Sequence, residues 1–283
     1  MTVVFGLGSG RCGTKSLAAL LNAQPGTVCF HEANPSAMAW AGAEDTVFSL
    51  LRDFRAILDD DERAITVDRA SPDRTEPLKR LHALPRVEVI GDVGIYYLPY
   101  VTQILSRFPE ARFPCLQRDR TEVIKSYVRK LGVPHRSPPA AGTVRDALRG
   151  LLRPKPTQSL VQPSRNHWCG DADRRWVPDR RWDKCFPSYD DLGSASLADH
   201  IARFYDDYYG QVDELASRYP ENVRVFPMES LNSVDGRADI LRFCRGGRTV
   251  VDVEVFENEG ASPKSIELSR RTKAAASRAS SSH

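Results

Sequence analysis

The stretch GLGSGRCGTKS occupies residues 6–16, directly after the apolar run TVVF and directly before SLAALL. An apolar run, a glycine-rich turn and a helix with one apolar face form an anion site. Backbone N–H groups point inward there, and the helix N-terminus carries partial positive charge. Gly6, Gly8, Gly10 and Gly13 let the backbone come close to a ligand. The Walker A pattern needs G-x-x-x-x-G followed at once by Lys and then Ser or Thr. Gly8 and Gly13 have that spacing, but Thr14 stands where Lys belongs and Lys15 comes one place late. In so tight a turn one place redirects the side chain. Arg11 instead puts a cation inside the loop. A loop with two cations and two hydroxyls in the six residues RCGTKS calls for an anion more strongly than a plain glycine turn does.

Working outward, residues 2–7 read as a buried strand and 14–21 as the helix after it, stopped by Pro25 and Gly26. Strands are expected at 28–30, 87–90, 112–117 and 223–226, and an edge strand at 250–256. Helices are expected at 45–58, 74–84, 98–108, 121–131, 197–219 and 238–244. This alternation predicts an α/β fold, a three-layer P-loop-type parallel β-sheet flanked by helices, in a single domain over 1–283. Residues 132–195 break the rhythm with prolines, arginines and Trp168, Trp176 and Trp182. They read as an irregular insertion, either a lid over an acceptor site or a surface loop pinned by its tryptophans. The end from 265 on, including SRRTKAAASRASSSH, is low in complexity and expected to be disordered.

The bulk composition narrows the partners. In 283 residues, 41% are hydrophobic and 27% charged, with a net charge of +3. A chain so nearly balanced is no generic polyanion binder, so no nucleic-acid partner is expected and anion affinity must come from local clusters. No run of about 18 apolar residues occurs, so no membrane span is expected. The first residues run straight into VVF without a basic leader, so a cytoplasmic protein is the expectation. The six cysteines, Cys12, Cys29, Cys115, Cys169, Cys185 and Cys244, form no C-x-x-C pair, so no metal site is expected. Free thiols are the default in a reducing compartment, with a pairing of Cys169 and Cys185 left open.

The loop GSGRCGTKSL resembles the 5′-phosphosulfate loop of sulfotransferases that use 3′-phosphoadenylyl sulfate (PAPS). Those loops run from a basic residue through Ser or Gly and Gly to hydroxyl or basic residues, and Arg11, Cys12, Gly13, Thr14 and Lys15 stand at these places. Cys12 departs from the usual Ser or Gly. Members of that family also carry an arginine at a strand end and a serine eight residues later, which hold the 3′-phosphate. In CLQRDRTEVIKSYVRK, Arg118 and Ser126 have that spacing (126 − 118 = 8). A guanidinium and a hydroxyl suit a dianionic phosphate. VRVFPMESLN resembles a late strand-and-turn segment of the same family, in which Glu229 would hold a loop by hydrogen bonds. The resemblance covers 3–32, 87–130 and roughly 200–245.

The resemblance implies transfer of a sulfuryl group from PAPS to a hydroxyl or amine of a small-molecule or carbohydrate acceptor, leaving adenosine 3′,5′-bisphosphate (PAP). It implies that Gly10, Arg11, Cys12, Gly13, Thr14, Lys15 and Ser16 bind the 5′-phosphosulfate, and that Arg118 and Ser126 bind the 3′-phosphate. Arg11 and Lys15 would stabilise charge on the leaving phosphate, with no metal required. A general base is needed for the acceptor. Glu32 is the first candidate and His31 the second, both in CFHEANP just past the second strand; Asp92 and His167 follow. Two other readings remain open. One is an ATP-dependent kinase with Asp92 on Mg²⁺, and the other a nucleotide-binding protein without catalysis.

Overall fold

The structure is a computed structural model, and it describes residues 2–33, 44–60, 63–67, 72–132 and 196–254. The insertion beyond 132, His167, the Cys169–Cys185 pairing and the tail from 265 lie outside the described residues.

Five short strands carry the fold: β1 (Thr2–Gly6), β2 (Thr27–His31), β3 (Val89–Val93), β4 (Phe113–Gln117) and β5 (Val223–Pro227). β3 lies between β1 and β2, parallel to both, and β4 pairs in parallel with β5. Backbone bonds join the two groups. Phe5 N–H donates to the Arg112 carbonyl and Leu7 N–H to that of Pro114, while Arg112 and Leu116 N–H groups donate back to Val3 and Leu7. The spatial order is therefore β2-β3-β1-β4-β5, all parallel.

Period-two alternation assigns the strand residues to two cores. On one face Val3 and Phe5 of β1, Phe30 of β2 and Ile90 of β3 pack with α2 (Glu44–Leu58), α4 (Val101–Arg107) and α6 (Leu197–Arg218). The Phe5 ring lies 4.6 Å from that of Tyr97 and 5.8 Å from that of Phe113. On the other face Val4, Cys29, Val93 and Leu116 pack with α1 (Thr14–Asn22) and α7 (Val234–Arg245). Each such aromatic or aliphatic side chain removed from water contributes about 1.5–3 kcal/mol before the entropy of ordering is charged against it. The expected α/β fold with a parallel sheet between helical layers is the fold observed. α3 (Pro72–Ala83) packs beside β2, and α5 (Arg120–Gly132) crosses α6. Local chemistry fixes the helix starts. Asp119 accepts the Glu122 N–H at the head of α5, and Ser196 and Asp199 form a reciprocal capping box at the head of α6.

Two elements differ from expectation. β3 runs from Val89 to Val93 rather than over 87–90, so Asp92 lies inside the strand and not beyond its end. Its register partners are Phe5 and Phe30, and the hydrogen bonds described below allow the carboxyl there. Residues 250–254 are no edge strand. Instead Gln24 bonds both to the Val251 N–H (2.8 Å) and to the Val251 carbonyl (2.8 Å), doing for one residue what a neighbouring strand would do. Arg237 grips Asp252 next to it through two nitrogens.

The connection leaving β1 runs to the β2 side, and the connection leaving β4 runs to the β5 side. Adjacent strands with diverging connections open a crevice at their carboxyl ends, which is where open α/β sheets bind ligands. The loop at 8–13 and Arg118 both lie at those ends.

Candidate functional site

The loop after β1 is held open by its glycines and fixed by tyrosines. Gly10 has φ +82°, and a Cβ there would come within 2.0 Å of the Tyr127 hydroxyl. Gly13 starts α1 at φ +89°, with no side chain capping the helix. The first-turn N–H groups of a helix have no partner within it and so remain an anion-binding surface. Met228 and Leu231, from the short 3₁₀ turn Met228–Asn232, pack against Gly13. Glu229 of that turn is exposed and bonds to no described residue, so the expected loop-holding role falls to its apolar neighbours.

Four hydroxyls grip the surrounding backbone. Gly8 N–H donates to Tyr208 Oη at 2.9 Å, and Tyr127 donates to the Ser9 carbonyl at 2.7 Å. Tyr209 donates to the Leu116 carbonyl and Tyr205 to the Arg118 carbonyl, both at 2.7 Å. Tyr205, Tyr208 and Tyr209 share one face of α6 by their i, i+3, i+4 spacing. The loop and the end of β4 are thus set largely by α6, with Tyr127 of α5 holding Ser9. The sequence reading missed this role, and the three-four spacing of the tyrosines was the signal available for it.

Cys12 is fully buried among the residues of α1 and α7. Burial, against weaker opposing hydrogen bonds from Tyr209 and the loop backbone, pushes its thiol up to about 11. Its side chain is packing, and only its backbone can serve an anion. Ser16 is buried in the first turn of α1, Lys15 half-buried beside it, and Thr14 Oγ1 lies 3.3 Å from His31 Nε2.

The two expected phosphate sites are joined. Arg11, in the left-handed region at φ 58° and exposed, donates Nε–H to Ser126 Oγ at 3.1 Å. Arg118 donates from Nη1 to the Arg11 carbonyl at 3.2 Å, and its Nη2 lies 3.6 Å from Glu122. Two guanidiniums and a hydroxyl, from three separate segments, meet beside the loop.

Glu32 follows β2 with φ 52°. Its N–H donates to the Val93 carbonyl at 3.0 Å, and its carbonyl accepts from Arg74 Nε. No described residue hydrogen-bonds its carboxylate. Burial first, and then neighbouring charges including that of Glu32, raise the hydroxyls of Tyr96 and Tyr127.

Asp92 is buried, and burial raises its carboxyl against opposing hydrogen bonds from Tyr97, Ala33 N–H and Tyr96. All three donate to Oδ2, at 2.5, 3.0 and 3.1 Å, while Oδ1 has no partner. Such a carboxyl is closed to an acceptor in solution. Among the described residues no cluster of His, Cys, Asp and Glu could hold a metal ion. No helix among them is long and apolar enough to cross a membrane. A groove of about 390 Å³ lined by Arg112, Arg224, Arg242 and Phe243 lies at the amino-terminal ends of β4 and β5, away from the loop.

No protein-family profile and no curated protein matches the chain. Among solved structures, a sulfotransferase from Alicyclobacillus acidocaldarius superposes with a TM-score of 0.45 at 16% identity, over 94% of this chain and 88% of that one.

Proposed function

We propose that the protein transfers a sulfuryl group from PAPS to a hydroxyl or amine of a small-molecule or carbohydrate acceptor. The observation that carries this reading is the meeting of Arg11, Arg118 and Ser126 beside a glycine loop that opens a helix. A single terminal phosphate chain needs one such anion site. A donor with a 5′-phosphosulfate and a separate 3′-phosphate needs two that adjoin. The 5′ group lies on residues 10–16, and the 3′-phosphate lies between Arg118, Ser126 and the Arg11 guanidinium.

The reaction is an in-line displacement. The acceptor oxygen or nitrogen bonds to sulfur while the bond from sulfur to the phosphate oxygen breaks. The acceptor proton goes to Glu32, and PAP leaves with the electron pair. Lys15 and Arg11 stabilise the charge that grows on the leaving oxygen. His31, bonded to Thr14, positions the loop hydroxyl rather than taking the proton.

The kinase reading is weakened by the place of Asp92. The strand carboxylate that would hold Mg²⁺ is buried, and two tyrosines and a backbone N–H occupy its Oδ2. Incubation with PAPS and a panel of phenols, alcohols, amines and sugars, with and without EDTA, tests the proposal. PAP release that depends on an acceptor and is unaffected by EDTA is expected. Consumption of ATP with Mg²⁺ in place of PAPS would make the protein a kinase. PAP binding with no transfer to any acceptor would leave a binding protein.

A further inference from the structure

The conformation of Glu32 is imposed on it. A residue with a Cβ in the left-handed region is strained and stays there only where its surroundings hold it. Three bonds surround this one. Glu32 N–H donates to the Val93 carbonyl, the Glu32 carbonyl accepts from Arg74 Nε, and the next N–H, of Ala33, donates to Asp92 Oδ2 at 3.0 Å. The first bond continues the β2–β3 ladder and would form with many sequences. The Asp92 bond stops the ladder, because it turns the chain so that Ala33 N–H faces a side chain on the neighbouring strand. Asp92 is in turn fixed by Tyr96 and Tyr97 from the 3₁₀ turn Ile95–Tyr100 that follows β3. A wholly buried carboxyl with Oδ1 unpartnered is a costly way to satisfy one N–H. That cost sits directly beneath the residue assigned as the base.

We propose that Asp92 is a positioning residue: with Tyr96 and Tyr97 it locks the turn after β2 and so aims the Glu32 carboxylate at the acceptor. This rests on the reading of Glu32 as the general base.

Asp92→Ala and Asp92→Asn separate positioning from simple folding. The Asn amide oxygen can still accept from Ala33, whereas Ala cannot. In Asp92→Ala, backbone NMR is expected to show Glu32 leaving positive φ and Ala33 N–H losing its hydrogen bond. The kcat of PAPS consumption should fall at least tenfold, while KM for PAPS and Kd for PAP stay within about twofold. Asp92→Asn should keep the positive φ and most of kcat. The proposal is overturned if folded Asp92→Ala keeps the positive φ and full kcat. It is equally overturned if kcat and PAP affinity fall together, since Asp92 would then support the loop. Should Asp92→Ala not fold, Asp92→Asn decides, and a kcat loss there as large as in Glu32→Gln refutes positioning. Wild type that neither binds PAP nor consumes PAPS would end the sulfuryl-transfer reading. The NMR comparison of Glu32 would still accept or reject the lock.

Discussion

Arg11 Nε donates to Ser126 Oγ at 3.1 Å, so a cation from the loop after β1 and a hydroxyl two turns into α5 form one cluster across the crevice. The resemblance to PAPS-dependent sulfotransferases implies Arg11 at the 5′-phosphosulfate and Ser126 at the 3′-phosphate. Their contact puts Arg11 where it can serve both.

Arg11→Ala is therefore expected to weaken PAP binding as well as slow turnover, by about 1.5–3 kcal/mol in affinity, the range for hydrogen bonds to charged groups. Lys15→Ala should lower kcat with little change in PAP affinity, because its charge acts on an oxygen that becomes anionic only at the transition state. Calorimetry and turnover on the two variants check this. Unchanged PAP affinity in Arg11→Ala would restrict that residue to the leaving group.

Glu32→Gln keeps shape but cannot take a proton. A loss of about 10²–10⁴-fold in turnover is expected with PAP binding intact, and a smaller loss in His31→Asn. Stability gives a separate readout. Left-handed backbone costs an L-residue about 1–2 kcal/mol, and glycine instead pays about 0.5–1 kcal/mol of chain entropy. Urea unfolding should thus find Glu32→Gly more stable than Glu32→Ala by about 1 kcal/mol, though both are inactive. Equal stability would mean that residue 32 is not strained.

Asp92 predicts a pH dependence of folding. Burial raises its carboxyl in the folded state above its unfolded value. The sign follows from linkage: its contribution is most favourable below the unfolded carboxylate range and is lost as pH rises towards the raised native value. Asp92→Asn lacks this titration. The stability of the variant relative to wild type should climb from pH 3 upward and level off above the native value. A difference that stays flat from pH 3 to 8 would contradict a raised carboxyl.

Much of this was legible in the residues. Strand and helix alternation sufficed for a parallel α/β fold, since buried strands and amphipathic helices write different periods. The places of the loop and of Arg118 at the carboxyl ends of β1 and β4 were legible, because each sits within a single strand-turn-helix unit. Contacts between distant segments were not legible. Gly8 and Tyr208 meet at a separation of 200 residues, and no local pattern specifies which backbone group a hydroxyl will reach. Gly91-Asp92 looked like a strand terminator because a buried aspartate needs donors, and Tyr96, Tyr97 and Ala33 supply them only in the folded chain. The left-handed turn at Glu32 was hidden for the same reason. The alternation in 250–256 was genuine as sequence, but over 250–254 Gln24 and Arg237 occupy the place of a partner strand.

The most direct measurement is calorimetric titration of wild type and Arg118→Ala with PAP and with 5′-AMP, which differ only in the 3′-phosphate. Wild type is expected to bind PAP well below the Kd of 5′-AMP. Arg118→Ala should weaken PAP by about 1.5–3 kcal/mol and leave 5′-AMP nearly unchanged, erasing most of the preference. Equal affinity of wild type for the two nucleotides, or equal PAP binding by wild type and variant, would contradict a dedicated 3′-phosphate site and with it PAPS as the donor.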